Sequence, residues 1–252
     1  MSTPVKEIIL SSIQADIPEV FLSIQGEGPE VGRPSIFVRL SGCNLYCFWC
    51  DTPYTWNWED TRYPHQETKK YQKKHEQSQI TTEKLLQEIN KHHCNNIVFT
   101  GGEPLLQHRA LFAVCQRLND NGSKVIDIET NATLIPDTAL DCFVSRYVCS
   151  PKLANSRIPK NQRIKENALH WFSKCNKAYF KFVVAKEADF EELEKIVAQF
   201  NINKDRVYLM SQALSHTELL SREKFVANKC LAYGYRYSDR LHYRLYGEGR
   251  GI

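Results

Sequence analysis

The sequence predicts an α/β protein built on an open, partial TIM-like β/α barrel of about six parallel strands. Three observations carry that expectation. Short β-branched apolar runs alternate with helix-length amphipathic stretches, which is the pattern of βαβ units. The runs number six, too few for a closed eight-stranded barrel. The unusual polar segments each fall directly after a run, where an α/β sheet presents its ligand-binding rim.

The first run is "SIFVRL" (35–40), followed by "NIVFT" (96–100), "KVIDIE" (124–129), "RYVCS" (146–150), "AYFKFVVA" (178–185) and "RVYLM" (206–210). Between the first two, "TTEKLLQEINKHH" puts Leu85, Leu86 and Ile89 on one helical face, with Glu83 in the first turn and histidines near the end. "LLQHRALFAVCQRLNDNG" follows the second, with Leu111, Val114, Cys115 and Leu118 in helical spacing and Gly122 as a natural stop. "KEADFEELEKIVAQF" and "SREKFVANKCLAYG" read as the later helices.

One stretch breaks the pattern. Residues 56–79, "WNWEDTRYPHQETKKYQKKHEQSQ", are polar and lack apolar periodicity. They read as an insertion in a single domain spanning 1–252, either a solvated mobile excursion or a lid over the rim.

Composition narrows the function classes. Hydrophobic residues make up 42% and charged residues 25%, as in an ordinary globular protein. The net charge of +4 favours an anionic ligand but is too small to argue for nucleic acid. No run reaches the roughly eighteen apolar residues of a membrane span, and the opening residues carry no signal-peptide pattern. A cytoplasmic setting is therefore expected, in which nine cysteines point to metal binding or catalysis rather than disulfides.

Six of the nine (Cys94, Cys115, Cys142, Cys149, Cys175 and Cys230) are scattered singly and are expected in the core. The other three form "SGCNLYCFWCDT", with Cys43, Cys47 and Cys50 at x3 and x2 spacing. A structural zinc site takes four ligands and no second cysteine pair exists, although Asp51 or His65 could complete a tetrahedron. A cubane iron–sulfur cluster held by three thiolates instead leaves one iron open to an exogenous ligand.

The triplet, the aromatic Trp49 before its last cysteine, and "GGEP" at 101–104 resemble the radical S-adenosylmethionine enzymes. The resemblance implies a 4Fe-4S cluster whose open iron holds S-adenosylmethionine, reductive cleavage to a 5′-deoxyadenosyl radical, and an electron donor such as flavodoxin or ferredoxin. Residues 21–52, with "VFTGGEP", "IETN", "SPK" and more weakly "DRLHYRLYG" (239–247), are similar to the 7-carboxy-7-deazaguanine synthases. Those enzymes contract 6-carboxy-5,6,7,8-tetrahydropterin to a 7-deazapurine with loss of ammonia, in the route to queuosine, and tend to be homodimers.

The resemblance assigns Ile24, Gln25, Gly26, Glu27, Arg39 and Thr100 to the pterin, with Arg39 facing its carboxylate, and Thr52 to a magnesium ion on that carboxylate. Trp49, Asp51, Gly102, Glu103, Glu129, Ser150, Pro151 and Lys152 are expected at S-adenosylmethionine, with Ser211 and Gln212 of "MSQA" as candidate adenosine contacts. A guanidinium or a hard cation with oxygen ligands suits a carboxylate, and paired glycines suit a backbone that must approach a ligand closely. Two other readings of the triplet stay open: an activase that installs a glycyl radical on a partner enzyme, and a non-enzymatic zinc module that binds RNA.

Overall fold

The computed structural model describes residues 7–120, 122, 124–247 and 249–251. Eleven strands are present among them: β1 (Glu7–Gln14), β2 (Ile17–Pro18), β3 (Val20–Ile24), β4 (Pro34–Leu40), β5 (Gln77–Thr81), β6 (Asn96–Gly101), β7 (Val125–Thr130), β8 (Arg146–Cys149), β9 (Ala178–Val184), β10 (Val207–Ser211) and β11 (Arg236–Ser238). Strands β4, β6, β7, β8, β9, β10 and β11 run parallel in that order. The sheet is open, as expected for a partial barrel. The seventh parallel strand, β11, is only three residues long, too short to stand out as an apolar run. At the other side β1 and β3 pair antiparallel with β4, while β2 and β5 pair with β1.

The period of two along each strand separates the two faces of this sheet. Ile36, Val38 and Leu40 of β4, Ile97 and Phe99 of β6, Ile126 and Ile128 of β7, and Phe180, Phe182 and Val184 of β9 enter the main apolar core. The helices are α1 (Lys73–Glu76), α2 (Thr82–Asn90), α3 (His108–Asp120), α4 (Thr138–Asp141), α5 (Lys160–Arg163), α6 (Glu166–Lys174), α7 (Glu187–Gln199), α8 (His216–Tyr233) and α9 (Leu241–Tyr246). Of these, α2, α3, α4, α6, α7 and α8 put side chains into that core, whereas His242 and Tyr243 of α9 line the concave side. Leu85, Leu86 and Ile89 of α2 and Leu111, Val114, Cys115 and Leu118 of α3 are the buried stripes anticipated from their spacing. Thr81 caps α2 by accepting from the Lys84 N–H, and Gly234, at φ 76°, ends α8.

The intervening strand residues point to the concave face. There Phe21, Phe37 and Val98 form a small separate apolar floor, with the rings of Phe21 and Phe37 stacked at 5.3 Å. Above it, register places Arg39 of β4 beside Thr100 of β6, and Glu129 of β7 beside Val148 of β8.

Residues 56–79 are largely exposed and are tied together by polar contacts. The Asn57 side chain donates to the Lys69 carbonyl (2.8 Å), and Lys70 Nζ returns to Asn57 Oδ1 (2.6 Å) and the Tyr63 carbonyl (3.0 Å). The segment lies on the cysteine loop: Gln66 N–H donates to the Phe48 carbonyl (2.8 Å), and Tyr63 stacks on Tyr46 at 3.5 Å. Its last residues, from Gln77, belong to β5 and hence to the sheet. Isolated polar side chains hid this arrangement because they satisfy one another rather than a hydrophobic core. Of the scattered cysteines, Cys142 departs from expectation, since it lies exposed at the end of the single-turn α4.

Candidate active site

One cavity of about 490 Å³ opens at the C-terminal ends of the parallel strands, a size suited to a small-molecule ligand. Cys43, Cys47 and Cys50 all line it. Their loop leaves β4 and is held by the turn after β6. Gly102 N–H donates to the Leu40 carbonyl (3.0 Å) and Glu103 N–H to the Gly42 carbonyl (2.9 Å). A Cβ on Gly101 would lie 2.0 Å from the Leu40 oxygen, and one on Gly102 would lie 2.1 Å from the Gly42 oxygen. Gly101 also sits at φ 127°, where other residues are strained. The paired glycines therefore let two strand ends touch, and that contact fixes where the cysteine loop starts.

The donor set fits a cluster. Cys47 packs with Leu45 and Ile158, and Cys43, Tyr46 and Cys50 close around them. Burial pushes the Cys47 thiol up to about 12, against the lowering influence of Lys152. Burial and the neighbouring Cys47 push Cys43 well above its ordinary value; burial and then Asp51 do the same to Cys50. Three crowded thiols in apolar surroundings become thiolates readily only when positive charge is supplied, as irons would supply it.

The donor set fits a single zinc ion poorly. His65 Nε2 meets the Cys50 carbonyl at 2.8 Å, while its Nδ1 accepts from the Glu67 N–H at 3.2 Å, so both ring nitrogens are engaged. Asp51 is paired with Arg240 at 2.5 Å. Among the described residues no three His, Cys, Asp or Glu side chains converge on one ion position.

The pterin-assigned residues come together on the facing wall. Ile24, Gln25, Gly26, Glu27, Arg39, Thr52 and Thr100 all line the cavity. Glu129 is the hub between two of them: one oxygen accepts from Gln25 Nε2 (3.1 Å), the other from Thr100 Oγ1 (2.8 Å). Arg39 Nε donates to Glu19 (2.7 Å), whose carboxylate is wholly buried and also accepts from Tyr54 (3.2 Å). Thr52 contacts Cys50 Sγ through its hydroxyl at 3.7 Å.

Trp49, Asp51, Gly102, Ser150 and Lys152 line the same cavity. Lys152 Nζ donates to Ser150 Oγ (2.9 Å) and stands 5.7 Å from the Trp49 ring. Four expected residues do not reach the cavity. Glu103 is fully buried behind it, accepting from Leu105 N–H, Thr130 Oγ1 and Asn131 N–H. It braces the "GGEP" turn against the end of β7. Pro151 is buried beside Ser150 without lining the cavity. Ser211 lies on the helix-facing parity of β10, with Leu209, while Met210 faces inward. Gln212 is drawn back by Arg222 of α8, which donates to both its carbonyls at 2.6 Å.

The most charged part of the wall was not foreseen. Glu27 is gripped by Lys181, by Arg240 (3.0 Å) and, at 3.9 Å, by His242. Burial opposes its ionisation, but Lys181 and Arg240 outweigh it and hold the carboxyl well below the usual range. His242 is lowered by burial. The segment carrying His242 crosses Gly26 closely enough that a Cβ there would meet the imidazole at 2.0 Å. Lys181 had a legible signal, a lysine at an inward position of the apolar run "AYFKFVVA". Arg240 and His242 lie in a stretch whose family likeness is weaker, so their convergence with Glu27 required the fold.

Residues 24–135 match the family model of the 4Fe-4S single cluster domain. The chain is 35% identical over 231 residues to the 7-carboxy-7-deazaguanine synthase of Hyperthermus butylicus, covering 90% of each. It is equally identical, at 35% over 237 residues, to that of Pyrobaculum aerophilum, covering 92% of this chain and 95% of the relative. Among solved structures, QueE from Escherichia coli is similar with a TM-score of 0.66 and 28% identity, over 91% of this chain and 95% of that one.

Proposed function

Since the chain belongs to the 7-carboxy-7-deazaguanine synthase family, we propose that it converts 6-carboxy-5,6,7,8-tetrahydropterin to 7-carboxy-7-deazaguanine as a radical S-adenosylmethionine enzyme. It is a lyase that works on a small molecule with a 4Fe-4S cluster and S-adenosylmethionine. One observation supports the reading above the others: the three cysteines and the Arg39–Thr52–Thr100 wall line one cavity, so a cluster-bound reactant and a carboxylated substrate share a single space.

When bound, the cluster and S-adenosylmethionine supply a primary alkyl radical that removes hydrogen from the substrate. The residues of this chain hold, orient and enclose. Cys43, Cys47 and Cys50 are the cluster ligands in this reading, and Ser150, Lys152, Trp49 and the backbone at Gly102 are the S-adenosylmethionine contacts. Arg39 meets the substrate carboxylate, its Nε bond to buried Glu19 fixing the guanidinium plane. Thr52, which lines the cavity, would be the protein ligand if a magnesium ion binds the substrate carboxylate, where it would supply positive charge to that group. Gln25 contacts the pterin in this reading, held by its bond to Glu129, which the same reading keeps at S-adenosylmethionine. Because an alkyl radical takes the hydrogen held nearest, selectivity depends on this positioning.

An electron donor such as flavodoxin or ferredoxin and assembly as a homodimer belong to the same reading. The activase and zinc-module alternatives are not favoured by relatives that share nine-tenths of the chain. Among the described residues no helix is long and apolar enough to cross a membrane.

The test is anaerobic purification with iron, sulfide and zinc analysis, then turnover of pterin deuterated at C6. Label arriving in 5′-deoxyadenosine is the expected outcome. Turnover with no label in it, or in recovered S-adenosylmethionine, overturns the mechanism; cleavage without pterin turnover overturns the substrate.

A further inference from the structure

The segment after α9 crosses the open side of the barrel. It leaves the β11 edge through Gly247, and Gly249, Arg250 and Gly251 line the cavity mouth. Its glycines at 247 and 251 adopt φ of 77° and 71°, and among the described residues of this stretch Arg250 carries the large side chain. That side chain reaches the opposite end of the sheet. Arg250 Nη1 donates to the Ser12 carbonyl of β1 (3.2 Å) and to Glu76 at the end of the insertion (2.7 Å). Its guanidinium lies 3.4 Å from the Tyr54 ring centroid and 5.8 Å from that of Tyr71. Arginine over an aromatic face is attracted by the ring's negative face, more strongly where water is excluded.

Tyr54 links this strap to the carboxylate wall. Its ring is under Arg250, its hydroxyl donates to Glu19 (3.2 Å), and the same Glu19 oxygen accepts from Arg39 Nε (2.7 Å). Tyr54 is 5% exposed and Glu19 is wholly buried, so neither can shift without disturbing the other.

We propose that Arg250 is a positioning residue: it straps the 249–251 segment across the cavity mouth and, through Tyr54 and Glu19, sets the guanidinium of Arg39 for the substrate carboxylate. The second half rests on the reading of Arg39 as the carboxylate contact. Arg250 touches neither substrate nor cofactor in this scheme. Its effect is felt only by a ligand that uses Arg39.

Two measurements on the protein without cluster or substrate separate the proposal from the assignment of function. Hydrogen exchange should show the amides of residues 55–57, which donate to the Thr52 and Pro53 carbonyls beneath Tyr54, protected in the wild type, with that protection lost at least tenfold in Arg250→Ala and partly restored in Arg250→Lys, which keeps charge and cation–π contact but not the fork. The Arg39 Nε–H resonance, identified by its loss in Arg39→Lys, should be narrow in the wild type and broadened in Arg250→Ala and in Tyr54→Phe. Unchanged exchange overturns the strap; an unchanged Arg39 resonance overturns the relay. With the reconstituted enzyme, Arg250→Ala should raise KM for the carboxylated pterin about tenfold with kcat nearly unchanged. It should weaken binding of a decarboxylated analogue less than about twofold, since that ligand lacks the group Arg39 meets. Equal losses for both ligands overturn the route through Arg39. A wild-type enzyme that binds neither pterin overturns the proposed substrate instead, and the exchange and resonance data still decide the strap and the relay.

Discussion

The two faces of the parallel sheet are made by the same strands and share almost no chemistry. On β9, Phe180, Phe182 and Val184 are locked among helices, while Tyr179, Lys181 and Val183 face the concave side, where Lys181 holds Glu27. On β7, Ile126 and Ile128 pack outward and Asp127 and Glu129 inward. The lesson is that stability and reactivity are separated here by one residue of register rather than by distance. A substitution on one face should read out in folding, and its neighbour on the other in binding or chemistry.

The largest contrast uses one residue type on both sides. Cys47→Ser should leave a protein without stable iron and unable to cleave S-adenosylmethionine, whereas Cys115→Ala, in the helix-side core, should keep iron and activity. Iron analysis and a 5′-deoxyadenosine assay check both. Full cluster content in Cys47→Ser would break the comparison at its centre.

Next in size is the outward face itself. Phe182→Ala should cost about 3–5 kcal/mol of stability, the range for truncating a fully buried aromatic, with KM for the substrate little changed in the folded fraction. Chemical denaturation measures the first and steady-state kinetics the second. Its inward neighbour should differ in what it adds: Lys181→Met should impair pterin binding at least tenfold by leaving Glu27 one cation short, beyond whatever stability the broken buried pair costs.

Thr52→Ala sharpens the contrast within the inward face. It should weaken magnesium stimulation and raise the apparent KM by about tenfold, one charge-assisted contact, with cluster content intact. Wild-type behaviour across a magnesium titration would remove Thr52 from the metal.

A last test, read in stability rather than binding, asks whether an inward charge below the cavity belongs to the folding side. Burial pushes the Asp127 carboxyl up to about 6 against the pull of Arg146, from an ordinary value of 3.8. The folded chain therefore keeps this proton when the unfolded chain has lost it, and stability falls as pH rises between about 4 and 6. Asp127→Asn should flatten that limb of the Tm–pH profile, by no more than about 3 kcal/mol across the window. A mutant profile parallel to the wild type would contradict the assignment.

Most of the fold was legible because both periodicities are strong: six apolar runs became six parallel strands, and the stripes of α2 and α3 became buried stripes. That Cys43, Cys47 and Cys50 would share one cavity was legible because three thiols at that spacing have few other uses. Where expected residues lie off the cavity, the reasons are local. Ser211 looked available at a strand end, yet strand parity turns it toward the helices, and Arg222 draws Gln212 the same way. Glu103 sits in the right motif but spends its carboxylate bracing a turn. The contacts within residues 56–79 are polar and follow no periodicity, and the Glu27–Arg240 pair joins distant segments that no window of sequence contains.

An open sheet has ends, and ends are where chains of this kind find one another. The strand path finishes at β11, three residues long, and at β2, two residues long with Pro18 as its second residue. A short edge offers few unpaired amides, and proline offers none, so neither end makes a good template for an incoming strand. Lengthening or straightening either of these two ends should show first as aggregation during expression rather than as lost chemistry.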